Sequence, residues 1–401
     1  FIIGDRAAGI GGAYTALVND DSTALWYNPA GLATLQSTKI NISVNGYNYY
    51  DRNVKGYWEF AETSGNIKGL NLEEDDLTIV AHTMVFGKDL GKFGGFAFGL
   101  FVPNQEALKS SIEGNAIGPN YEIDINSVLD LTSKDLDALA GYGIKITKKV
   151  NIGASVGVSY YSQQAKQANI QTFKEKTKPE IYTDTYISEE TFTQYLLHGS
   201  IGIQVIPITG FTIGIQYRTP SFNLFGSIKS KTAETFIGSF HDGSEELSEI
   251  SKVKINNKKN KKFDEVLPDR LALGLSYEQK KSWAVSFDIE RIGKPSGYIT
   301  DVYNFKLGAE IYINQEYVVR LGGFTDFTQN IKSKDKKDNL QNEDFIDFYG
   351  ITASFSFATK IKIKEKKSEK FQLKTLWTTI GLMYRRGSGE VGASRYNSFN
   401  S

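Results

Sequence analysis

Residues Gly4 to Leu32 read GDRAAGIGGAYTALVNDDSTALWYNPAGL, and no strand fits them. Ala7, Ala8, Gly9, Gly11, Gly12 and Ala13 allow backbones to approach closely, and glycine accepts positive φ where other residues resist it. Asn19-Asp20-Asp21-Ser22 is a turn and helix-start signal, because short polar side chains bond the free N–H groups that open a helix. Pro29 pushes Asn28 out of the helical region, so a helix begun at Ser22 stops at Tyr27. The expectation is a compact, kinked segment of turns and short helices. A dinucleotide-binding loop does not fit it: no strand precedes Gly-Ile-Gly-Gly, and the GxGxxG spacing is absent.

Downstream of this segment the chain alternates. Ile40, Ile42 and Val44 point one way, and Asn41, Ser43 and Asn45 the other. In GGFAFGLFVP, Phe96, Phe98 and Leu100 share one face, opposite Gly95, Ala97 and Gly99; glycine on the inner face leaves room for something else to sit there. The clearest pattern sets Ile152, Ala154, Val156, Val158 and Tyr160 against Asn151, Gly153, Ser155, Gly157 and Ser159. Period 2 over this length marks a half-buried strand, and about 9–11 residues suit a tilted membrane crossing. The same design recurs around Tyr195–Val205, Phe211–Tyr217, Leu271–Ile289, the segment from Val302 to Phe324, Asp347–Ile363 and Lys374–Arg386. Asp51–Asp76, Asn104 to about Asp135, and Lys229–Lys262 with its NNKKNKK run read as long solvated loops. Counting gives about fourteen strands, with short connections alternating with long ones, as in outer-membrane barrels with short periplasmic turns and long external loops. An even number lets the sheet meet itself without an exposed edge.

Composition agrees. The 401 residues include 25 Phe, 22 Tyr and 38 Gly but only 2 Met and no Cys, so there is neither a disulfide framework nor a thiolate metal site. Lys plus Arg balance Asp plus Glu at 46 each, which steers the chain toward no polyanion, nucleic acid included. No run is long and apolar enough for a transmembrane helix, a feature shared with barrels, whose strands meet lipid only at every second residue. No leader is visible before Phe1, as expected of a mature or trimmed chain.

The opening Gly-Asp-Arg-Ala-Ala-Gly-Ile-Gly-Gly-Ala-Tyr-Thr-Ala-Leu, with Asp20-Asp21 and then Asn28-Pro29-Ala30-Gly31-Leu32, resembles the N-terminal hatch of FadL-type outer-membrane transporters of long-chain fatty acids. VPITGFTIGIQYRTPS and LPDRLALGLSYE resemble that family's mid-chain motifs, and PorV-type proteins, which serve a secretion machine, share nearly the same opening. The resemblance implies an all-β, fourteen-stranded antiparallel transmembrane barrel, with residues 1–37 as a helical hatch plugging the lumen and 38–401 as the barrel. The last strand would begin at Gly392 and run beyond Ser401, since such barrels finish on a terminal aromatic.

The function this implies is passive movement of hydrophobic compounds, long-chain fatty acids first, across the outer membrane of a diderm bacterium. The partners are then a hydrophobic ligand such as a fatty acid or detergent, and outer-membrane lipids. The alternative is a non-transporting barrel docked to a secretion or envelope complex. Gly9, Gly11, Gly12, Asn28, Pro29, Ala30 and Gly31 fall within the hatch, and Asn28, Pro29 and Ala30 match its motif; they either gate the hatch or simply fold it. The inward register collects His198, Gln204, Gln216, Arg218, Asp288, Glu290, Lys306, Glu310 and Arg320. These form a satisfied network lining a wet lumen, or else Arg218, Lys306 or Arg320 meets an anionic head group. No nucleophile elbow, zinc-type His pair or phosphate loop is present. Asp288 and Glu290 read as partners for inward Lys and Arg rather than as an acid–base pair. The chain therefore reads as neither an enzyme nor a cofactor or metal binder.

Overall fold

A computed structural model describes residues 2–17, 21–45, 48–54, 70–76, 80–117, 121–176, 181–240, 248–261, 267–279, 282–294, 300–329, 345–364 and 371–390. The N-terminal segment holds α1 (Asp5–Gly9), α2 (Ala24–Tyr27) and a 3-10 helix over Pro29–Thr34. Next come β1 (Lys39–Asn45), β2 (Asn48–Val54), β3 (Leu70–Asp76), β4 (Val80–Asp89), β5 (Gly95–Ile117), β6 (Tyr121–Thr147), β7 (Val150–Glu175) and β8 (Ile181–Ile208). They are followed by β9 (Phe211–Arg218), β10 (Phe222–Phe240), β11 (Ser248–Lys261), β12 (Arg270–Gln279) and β13 (Trp283–Ile292). The last four are β14 (Val302–Tyr312), β15 (Tyr317–Asp326), β16 (Phe345–Lys364) and β17 (Phe371–Glu390).

One antiparallel ladder runs β1-β4-β5-β6-β7-β8-β9-β12-β13-β14-β15-β16-β17. The 28-residue β8 serves two neighbours: its last part pairs with β9, and its first part with β10, which carries β11. That side branch brings the sheet to fifteen strands, and β2–β3 form a separate pair. The fourteenth strand expected from Gly392 onward lies outside the described residues.

The stretches read as solvated loops are a correction. Asn104–Ile117 of β5 pairs with Glu122–Asp135 of β6, and β10 pairs with β11 over Ile228–Lys261. Asn48–Val54 and Leu70–Asp76, within and beside the first of those loops, are paired strands too. These strands lack the one-sided hydrophobicity that signals a strand in sequence, because polar residues stand at both parities along them. Backbone hydrogen bonds between the paired strands hold them. A tight turn precedes Phe211, with Gly210 at φ 86°.

The alternation is inside-out compared with a soluble protein. Along β12, Leu271, Leu273 and Leu275 are exposed while Ala272, Gly274 and Ser276 are buried. His198, Gln204, Asp288, Glu310 and Arg320 are only 4, 1, 2, 1 and 7% exposed. Apolar groups outward and polar groups inward is the distribution of a wall facing lipid.

At β7 the sequence reading expects lysine to be costly at Val156 and cheap at Ser155. Val156 does point outward, at 53% exposed. Ser155, however, hydrogen-bonds Ser200 (Oγ to Oγ, 2.7 Å) and lies against Gly141, which itself touches Leu25 of the N-terminal segment, so lysine there is not innocuous. The usable contrast is Val156→Lys, expected to cost about 2–4 kcal/mol in bilayers if the site is near mid-membrane, against Ser155→Ala, expected to cost about 1 kcal/mol for one hydroxyl bond. Urea unfolding in lipid vesicles measures both, and equal penalties would contradict the register.

Candidate functional site

The N-terminal segment lies against the inward face of nearly every strand in the ladder. A Cβ added at Gly143 of β6 would sit 2.6 Å from the Pro29 carbonyl oxygen, at Gly308 of β14 2.5 Å from Ile10, and at Gly87 of β4 2.7 Å from Ser22. Gly95, Gly153, Gly202, Gly214 and Gly322 likewise abut Leu32, Pro29, Asn28, Thr15 and Gly11. The inner-face glycines seen in sequence are thus a belt on which this segment is seated. Gly11 and Gly12 adopt φ of 64° and 78°, and the bend they make brings Gly11 flat against the Gly323 backbone.

Local chemistry folds the segment. The Asp21 carboxylate accepts the Thr23 N–H at 2.9 Å and the Tyr14 hydroxyl at 2.5 Å, opening α2. Asn28 then extends (φ −161°, ψ 104°), as the residue before proline should. Its Oδ1 caps the 3-10 helix by accepting Ala30 N–H at 3.1 Å. Its Nδ2 donates to Thr15 O at 2.8 Å, with longer contacts to Ile203 O and Ile215 O of β8 and β9. One amide thereby ties the turn, the segment and the wall together. Pro29, Ala30 and Gly31 are buried beside it, and Gly31 packs on Ala24. The Tyr27 hydroxyl donates to Ile3 O and accepts Ile3 N–H, at 3.0 and 2.8 Å. Burial pushes the phenols of Tyr14 and Tyr27 up, so both remain protonated donors.

Charge fixes the other end. Arg6 grips Glu310 of β14 with Nε to Oε1 at 2.7 Å and Nη2 to Oε2 at 2.5 Å. Arg320 of β15 meets the same carboxylate at 2.6 Å and also reaches Ser356. Ser356 bonds Thr379 at 2.7 Å, and Thr379 donates to Asp5 at 2.9 Å. Asn41 of β1 donates to the other Asp5 oxygen at 3.3 Å. A single carboxylate of α1 thus touches both ends of the ladder, β1 and β17. Gly9 abuts Ser354, and Thr352 bridges Gly9 O and Gly11 N.

The three inward cations expected to meet a head group separate. Arg320 is committed to Glu310, and Lys306 to Glu290 at 2.7 Å. Arg218 lies with its guanidinium 4.3 Å from the centre of the Trp26 ring and donates to Trp26 O at 3.3 Å; it makes no ion pair among the described residues. Trp26 in turn packs against Phe101 of β5, ring centres 5.1 Å apart. Nearby in the same wall, Asp137 and His198 stand 3.8 Å apart, beyond hydrogen-bond reach, and both His198 nitrogens and the Ser159 hydroxyl are buried without a hydrogen-bond partner among the described residues. Asp288 departs from its reading as a cation's partner: its Oδ2 accepts the backbone N–H groups of Tyr14 and Thr15 at 2.8 and 2.9 Å. Sequence reasoning passed over Arg6 and Asp5. The available signal is a charged pair inside a stretch of small residues, which demands a countercharge wherever that stretch is buried.

A family model described as "Outer membrane protein transport protein (OMPP1/FadL/TodX)" matches residues 4–333. Among solved structures, the CymD monoaromatic hydrocarbon channel aligns with TM-score 0.54 at 13% identity, covering 96% of this chain and 93% of its own. The Pseudomonas putida toluene transporter TodX aligns with TM-score 0.52 at 13% identity, covering 97% and 98%. The Ralstonia pickettii toluene transporter TbuX gives TM-score 0.50 at 14% identity, covering 96% and 98%. No curated protein sequence matches.

Proposed function

The chain belongs to the OMPP1/FadL/TodX family of outer-membrane transport proteins, and from that premise we propose that it is a hatch-gated barrel for long-chain fatty acids. Members of the family are outer-membrane β-barrel proteins that pass hydrophobic compounds. In this reading residues 1–37 are the hatch, 38–401 form a barrel of about fourteen strands, and Asn28, Pro29 and Ala30 hold the hatch to β7, β8 and β9. The described residues are all-β apart from the N-terminal segment and one short 3-10 turn, in keeping with that architecture.

One observation carries the choice of ligand. Of the three inward cations Arg218 is the one that pairs with no carboxylate among the described residues, and it stands over Trp26. A guanidinium is matched by a carboxylate in charge and shape. A bare aromatic hydrocarbon such as the toluene of the TodX and TbuX transporters offers it a ring face but no countercharge. The chain of the fatty acid would lie against Trp26 and Phe101. Just beyond Phe101, β5 breaks register with β6 at Val102-Pro103, which gives a weak point in the wall for sideways exit.

Binding of oleate and of toluene to detergent-purified protein, followed by native mass spectrometry and tryptophan fluorescence, tests this. Arg218→Ala is expected to weaken oleate about 10- to 100-fold, the value of a charge-assisted hydrogen bond, and to leave toluene unchanged. Equal loss of both would remove Arg218 as the head-group site. Retention of a stoichiometric protein in place of any amphiphile would favour the docking alternative, for which the long paired extensions of β5 to β8 provide a surface.

A further inference from the structure

We infer that the outward face of the β6–β7–β8–β10 wall carries a shelf for the phosphorylated head groups of outer-leaflet lipid, with Lys134 and Lys229 as its cations. The inference rests on the family's outer-membrane location and goes beyond transport.

Three features of the wall lead to it. The first is an aromatic row. Leu136, Tyr160, Tyr195 and Phe225 stand side by side across the four strands. Their rings touch, Tyr160 to Tyr195 at 5.0 Å and Tyr195 to Phe225 at 4.5 Å. They have the same parity as the exposed Val156 and Val158, so the row continues the lipid-facing surface. Aromatic side chains in such a row mark the level where hydrocarbon gives way to head groups. The row lies toward the long hairpins, the external side of an outer-membrane barrel.

The second is a polar row further out on the same face. Two residues beyond the aromatic row come Lys134, Ser162, Thr193 and Ser227, aligned across the strands. Thr193 and Ser227 are hydrogen-bonded at 2.9 Å. Lys229 is one step further out on β10. Lys134 and Lys229 are both exposed, and neither makes an ion pair with a described residue. They bracket a floor of hydroxyls about 14 Å wide, three strand spacings.

The third is where the positive charge stops. Beyond the row of Thr132, Gln164, Thr191 and Lys229, the following row on this face, Asp130, Lys166, Glu189 and Lys231, alternates in sign, and Lys231 pairs with Glu189 at 3.7 Å. That row is neutral in sum, so the uncompensated charge sits at head-group height and not along the whole extension. Long lysine stems reach along an apolar surface to place their ammonium groups at such a boundary, where anionic lipid attracts them. A phosphorylated glycolipid supplies acyl chains for the aromatic row and phosphates for the lysines together; a soluble anion supplies only the second.

The test is native mass spectrometry of the full chain in mild detergent, titrated with lipid A bearing its phosphates and with the same lipid lacking them. Wild type is expected to prefer the phosphorylated form. Lys134→Gln with Lys229→Gln should weaken that binding about 30-fold, a factor of roughly five per lysine beside an anionic surface. Lys166→Gln with Lys231→Gln should leave it unchanged. All four side chains are exposed, so heat-modifiable gel migration should report a folded barrel for each variant. Equal binding by the first double variant, equal weakening by the second, or displacement of the lipid by millimolar inorganic phosphate would each overturn the inference.

Discussion

Glu310→Ala is expected to destabilise the protein by about 3–5 kcal/mol, the cost of stranding buried charge when one partner of a buried ion pair is removed. Two guanidiniums depend on this carboxylate. Arg6 and Arg320 approach it at 2.5 and 2.6 Å, with side chains 12% and 8% exposed. Without it they face each other with little water. The loss should be local first: Arg6 leaves the wall, and trypsin, which cuts after arginine, should cleave there in the variant and not in wild type. A companion variant separates buried charge from lost contact. Replacing Arg6, Glu310 and Arg320 together with Met, Leu and Met should recover most of the stability, since a buried ionic cluster exchanged for apolar groups of similar volume is often neutral or better. Chemical unfolding in vesicles gives the two numbers, and a triple variant no more stable than Glu310→Ala would show that the cluster acts by something other than charge.

The second large effect concerns the belt. Gly202→Val and Gly153→Val place a branched side chain in mid-strand, where valine is ordinarily favoured and glycine is a weakness. A wall with nothing behind it would gain from both. Here the sign reverses, because the added Cβ at Gly202 meets the Asn28 side chain and at Gly153 meets the Pro29 backbone. Overpacking of this kind costs about 1–3 kcal/mol per site, and the backbone of the N-terminal segment has no rotamer with which to yield. The segment should be displaced while the barrel stays folded. Gly199→Val is the control on the same strand: its nearest neighbour is 3.4 Å away, an ordinary contact, and it should be tolerated.

How far this arrangement could be read in the sequence depends on where information is local. The crossing strands announce themselves because lipid on one side and lumen on the other impose a contrast at every second residue, as from Ile152 to Tyr160. The turn chemistry of Asp21, Asn28 and Pro29 is equally local, and the segment folds as those residues dictate. Glycines at 95, 143 and 153 show that the inner face has room, without saying what fills it. The paired extensions in β5 and β6 (Asn104–Ile117 with Glu122–Asp135) and in β10 and β11 are illegible in sequence, since a strand with polar residues at both parities carries no period. Arg6 and Glu310 lie 304 residues apart, and no pattern within a window joins them. Nor does sequence reveal that Asp288 spends its charge on two backbone N–H groups, leaving Lys306 to Glu290. The division among Arg218, Lys306 and Arg320 is settled by neighbours on adjacent strands, so all three look alike until the register is known.

Ion conductance across planar bilayers tests most directly the claim that the N-terminal segment, seated on the glycine belt, fills the lumen. Wild type and Gly199→Val should insert without steady ion current, while Gly153→Val with Gly202→Val should give stable ohmic steps. Steady current through wild type as large as through the double variant would mean that the segment does not seal the barrel, and the gated path would fail with it.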